Sequence, residues 1–103
     1  MDKLQKQTVD LAKTFSNLKM KEHKFMDMVE EVGELSSAIL YYEGIKKGKL
    51  TGKINKSNIA DALSDILYEL FLLAADYNLN LEDEYKKMLK RLKERIDSGE
   101  FKK

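Results

Sequence analysis

The sequence predicts an all-α, four-helix-bundle-like domain spanning residues 1–103, and three observations carry that expectation. Proline is absent, apolar residues recur at helical spacing between charged ones, and glycines and asparagines fall where helices need stops and caps. Helix one is read over 3–18, where Leu4, Val9, Leu11, Ala12, Phe15 and Leu18 share a face. Helix two is read over 24–43 and stopped by Gly44. Helix three is read over 58–77 with Ser57 or Asn58 as its cap. Helix four, over 81–97, opens on Asn80 with Asp83 three residues on and closes at Gly99. The link 78–80 is so short that it predicts an antiparallel hairpin of helices three and four. Gly33, inside helix two, costs about 1 kcal/mol relative to alanine, which predicts close approach of another helix or a ligand there.

Composition narrows the function classes. Nineteen Lys plus Arg against eighteen Asp plus Glu leave a net charge of +1, so no global field recruits nucleic acid or an anionic membrane. Nucleic-acid binding is further disfavoured because no aromatic residues interleave with the basic ones. Without cysteine there is no disulfide, thiolate metal site or thiol nucleophile. No signal-peptide-like run opens the chain and no apolar stretch is long enough to span a bilayer, so a soluble, cytoplasmic protein is expected. Helices two and three carry apolar residues around more of their circumference than one hairpin can bury, so a homo-oligomer, dimer or tetramer, is expected to complete the bundle. Met20, Met26, Met28 and Met88 read as core filling.

The chemistry-bearing feature is a set of carboxylates inside these apolar helices. Glu30, Glu31 and Glu34 share one face of helix two; Asp61 and Asp65 share one face of helix three. Like charges so stacked repel, and the flanking apolar residues (Phe25, Val29, Val32 and Ile39; Leu63, Ile66 and Leu67) predict that the acids lie near an interior. A hard cation such as Mg²⁺ is the natural compensation, because it takes carboxylate oxygens and completes its shell with water and phosphate. Between the two helices, residues 44–56 carry three glycines and five lysines and read as a mobile basic loop.

Residues 25–40, F-M-D-M-V-E-E-V-G-E-L-S-S-A-I-L, resemble the first motif of the MazG-like all-α nucleoside triphosphate pyrophosphohydrolases, an E-E-x-G-E-L run containing an E-x-x-E metal pair. The stretch from Ala62 to Glu82 resembles the second motif, E-x-x-D followed by an apolar helix, a turn and an acidic helix start. The resemblance implies Mg²⁺, or Mn²⁺, on Glu31, Glu34 and Asp65, with Glu30 activating the attacking water. It implies hydrolysis of a nucleoside triphosphate to a monophosphate and pyrophosphate. Where the family has its other second-motif carboxylate this chain has Ala62, so Asp61, one residue earlier, is the candidate substitute ligand. The family's K-x-x-x-N-R pattern is met at Lys87 only, with Arg91 at the asparagine and Leu92 at the arginine. Lys46, Lys47, Lys87 and Arg91 are the candidates for meeting substrate phosphates. The competing expectation, raised by Ala62, is a noncatalytic helical interaction or regulatory module built on the same fold.

Overall fold

Periodicity becomes four helices: α1 (Lys3–Thr14), α2 (Lys21–Tyr42), α3 (Lys56–Asp76) and α4 (Leu81–Asp97), with no strand among the described residues. The computed structural model describes residues 2–14, 20–49 and 51–101, so the part of helix one expected at 15–18 lies outside them. Three helices end by one mechanism. Gly44, Asn78 and Gly99 adopt φ of 73°, 58° and 83°, and the residue after each donates its N–H back to Leu40, Ala74 and Arg95 respectively. That left-handed turn satisfies carbonyls the helix leaves open, at no steric cost for glycine and little for asparagine.

Helix starts follow side-chain chemistry. The cap of α3 is Asn55, not Ser57 or Asn58. Its carboxamide oxygen accepts from the Ser57 N–H at 2.9 Å, while the Asn58 side chain accepts from the Asn55 N–H at 2.8 Å, a reciprocal box that places the cap two or three residues earlier than the candidates Ser57 and Asn58. Asn80 caps α4 as expected, accepting from the Asp83 N–H at 3.2 Å.

Helices α2 and α3 pack along their lengths, and α1 packs on α3. They are antiparallel, since Lys24 in the first turns of α2 donates to both carboxylate oxygens of Asp76 at the end of α3, at 2.9 and 2.7 Å. The expected hairpin of helices three and four does not form: α4 does not fold back along α3, and it buries none of its residues. The link turns through Asn78 in the αL region and is joined to Gln5 by two hydrogen bonds, one donated by the glutamine side chain and one accepted by it. Consequently the radius of gyration is 17.3 Å, where a compact globule of this length has about 13 Å.

The buried apolar residues are Ala12, Ala38, Ala62, Phe71, Leu72 and Ala74, four of them alanines that let helices approach closely. The large side chains expected inside are mostly outside. Phe25, Val29, Val32, Ile39, Leu63 and Leu67 are exposed, as are Met20, Met26 and Met88. Gly33 is likewise exposed, and a Cβ there meets nothing within 4 Å. Among the described residues nothing approaches it, so they do not make the close contact expected at Gly33. No helix among the described residues is long and apolar enough to cross a membrane.

Candidate active site

The candidate acids of α2 lie within about one turn and a half, with Glu31 acted on by Asp65 of α3. Glu31 is half-buried, and its Oε2 is shut off from solvent with no hydrogen-bond donor facing it. Its pKa is raised above the ordinary glutamate value, first by burial, then by the charges of Glu34 and Asp65. A carboxyl–carboxyl interaction with Glu34 that favours the protonated form, and the charge of Glu30, add to the shift. Three of the other four acids expected at the site therefore act on Glu31. Glu30, Glu34 and Asp65 are themselves exposed.

Asp61 is exposed and is not among the charges acting on Glu31, whereas Ala62 is buried. The alanine thus stands where a carboxylate would point into the helix seam, and Asp61 stands beside it. Glu69 is a residue that sequence reasoning left out of the ligand set. The Lys24–Asp76 pair sets a register in which Glu69 stands level with Glu31, and its Oε2 is shielded from solvent. The signal was present as an i, i+4, i+8 stripe of Asp61, Asp65 and Glu69, but only the register shows which end of the stripe lies level with Glu31.

Do these residues fit a divalent cation? The donors are all carboxylate oxygens, the set a hard ion prefers, and one of them is buried among like charges without compensation. As placed, no three His, Cys, Asp or Glu side chains among the described residues converge into a closed ligand set. The donor chemistry fits Mg²⁺, and closing the shell falls to rotation of the exposed carboxylates and to water and phosphate oxygens.

The expected substrate lysines divide between two elements. In the basic loop, the Lys46 ammonium lies 5.3 Å from the centre of the Tyr41 ring, and the Gly48 N–H donates to Thr51 Oγ1 at 2.7 Å. A Cβ on Gly48 would stand 3.3 Å from the Tyr41 hydroxyl, so the loop folds back on that ring. Lys47 is exposed. On α4, Lys87 pairs with Glu84 at 3.3 Å and Arg91 is exposed. The remaining pairs of α4, Lys86 with Glu82 and Lys93 with Asp97, are the solvated kind its charge pattern suggests.

An all-helical chain whose two central helices share an acidic face is the architecture of the MazG-like all-α pyrophosphohydrolases. Within that class, the family described as phosphoribosyl-ATP pyrophosphohydrolase matches residues 3–94, and the chain belongs to it. No curated protein and no solved structure matches the chain significantly.

Proposed function

We propose that the chain hydrolyses a nucleoside triphosphate between its α and β phosphates, with Mg²⁺ or Mn²⁺ held by Glu31, Glu34 and Asp65 and with Asp61 contributing. The observation that carries this reading is Glu31, a half-buried carboxylate facing Glu34 and Asp65 with a buried, uncompensated oxygen. A bound cation supplies charge neutralisation at the phosphate oxygens and holds them in line. Glu30, exposed beside the pair, orients a water and takes its proton as the water adds across the anhydride and the P–O bond breaks. Lys46 and Lys47 of the loop, with Lys87 and Arg91 of α4, meet the charge gathering on pyrophosphate. Drawing Lys87 away from half-exposed Glu84 costs less than about 1 kcal/mol.

The family description makes phosphoribosyl-ATP the first substrate to try, alongside the ribo- and deoxynucleoside triphosphates. Purified protein incubated with each of them and Mg²⁺ is expected to release pyrophosphate from at least one. Asp65→Ala is expected to remove that activity. Comparing it with Asp61→Ala and Glu69→Gln identifies which carboxylate makes good the alanine at 62. Silence toward every triphosphate, with activity restored by Ala62→Glu, would instead favour the second reading, a noncatalytic interaction or regulatory module. The buried alanine is the observation that recommends that alternative.

The same reading includes self-association. Phe25, Met26, Val29, Val32 and Ile39 form an exposed apolar stripe on α2, and α4 has no cover of its own. A cytoplasmic homo-oligomer, dimer or tetramer, provides both. Light scattering at micromolar concentration is expected to give at least twice the chain mass of 12.0 kDa; a monodisperse species of one chain mass would contradict it.

A further inference from the structure

Gln5 of α1 is fully buried, and none of its polar capacity is spent on α1. Its Nε2 donates to the Leu79 carbonyl at 2.9 Å, and its Oε1 accepts from the Leu81 N–H at 2.8 Å. Both partners lie at the α3–α4 link, and Leu81 is the first residue of α4, whose N–H has no carbonyl within the helix to reach. The Gln5 backbone N–H is in turn held by Asp2 Oδ1 at 2.8 Å, which anchors the glutamine at the start of α1.

What else fixes α4? It packs along no other helix, and an open apolar cavity of about 590 Å³, bordered by Leu4, Leu70, Phe71, Leu81 and Tyr85, lies beside its first turns. Helix-on-helix packing among the described residues of one copy does not aim it. We propose that Gln5 is a positioning residue: its carboxamide clamps both sides of the link, so that α1 sets the direction in which α4 leaves α3. This goes beyond the pyrophosphohydrolase reading and stands or falls without it. Because α4 carries Lys87 and Arg91 and an uncovered apolar face, a change felt at the start of α1 is transmitted to α4 through one side chain.

The chain has no cysteine among its described residues, so spin labels can be placed at will. One pair, at Lys13→Cys and Lys93→Cys, spans α1 to α4; a control pair, at Glu22→Cys and Ser57→Cys, spans α2 to α3. All four positions are exposed. Labelled protein is diluted into excess unlabelled chain so that only distances within one copy are read. Gln5→Leu and Gln5→Met keep an apolar body of similar length and lose both hydrogen bonds. Each is expected to broaden the α1–α4 distance distribution at least about twofold and leave the α2–α3 distance unchanged, with the Leu81 amide exchanging at least about tenfold faster. An unchanged α1–α4 distribution overturns the proposal. So does a variant in which both distances are lost, because Gln5 is then a strut of the whole fold rather than a device directed at α4.

Discussion

Glu31→Gln is expected to move stability and activity in opposite directions. In metal-free buffer at neutral pH the variant melts above the natural protein, because it removes a carboxylate held among Glu34, Asp65 and Glu30. The sign follows from proton binding. A folded-state pKa raised above the ordinary value of 4.5 means the folded chain holds this proton more tightly than the unfolded one. Glu31 therefore favours folding most at acidic pH; that contribution fades as pH rises from the ordinary value through the raised one, and the repulsion is fully present above it. The variant's stability is flatter across that window. Added Mg²⁺ relieves the same repulsion in the natural protein and raises its melting temperature, while Glu31→Gln responds less. Pyrophosphate release falls by about 100-fold or more, the usual scale for losing one preorganised charge-stabilising group. Equal melting curves for the two proteins, with and without metal, would remove Glu31 from the site.

The second large effect belongs to Lys24, which has no part in the chemistry. Its side chain is 11% exposed and that of its partner Asp76 is 23% exposed, so truncation leaves a mostly buried carboxylate without its cation. Lys24→Ala is expected to cost about 2–3 kcal/mol, below the range for fully buried pairs because Asp76 retains some water. In a domain of this size that lowers the melting temperature by roughly 10 °C or more. Replacing both partners, Lys24→Met with Asp76→Leu, should recover most of the loss, because no buried charge is then left over. Additive destabilisation in the double variant would show that the pair is not what joins the two helix ends.

The helices were legible because their signals are local. Gly44 and Gly99 stop α2 and α4, and Asn80 caps α4, through atoms a few residues away. That Glu34 and Asp65 act on Glu31 agrees with the grouping that the motif resemblance implies; helical spacing alone marks Asp61 equally. The rest depends on distance along the chain. Gln5 reaches 76 residues to Leu81 and Lys24 reaches 52 to Asp76, and nothing near either residue marks it as a partner rather than as one more polar position. The α3–α4 hairpin was expected from loop length alone, yet a short link bounds separation and not direction, which Asn78 and Gln5 supply. Val29, Val32 and Leu67 were read as interior because apolar periodicity identifies a face that seeks cover without saying which chain provides it.

That few large side chains, Phe71 and Leu72 among them, lie inside while many lie outside has a consequence for how abundance and folding are linked. A chain whose seam is closed mainly by Ala38, Ala62 and Ala74 draws modest hydrophobic stabilisation from its own interior, since burial scales with apolar area. The greater reserve sits on Phe25, Val29, Leu67 and the apolar side of α4, and under the proposed self-association it would be realised on meeting another copy. For an assembly of two, each tenfold dilution then removes about 1.4 kcal/mol of the free energy of association. In such an assembly marginal stability would be a property of the population of molecules rather than of one molecule, and the rate of synthesis would enter the folding equilibrium as directly as any side chain.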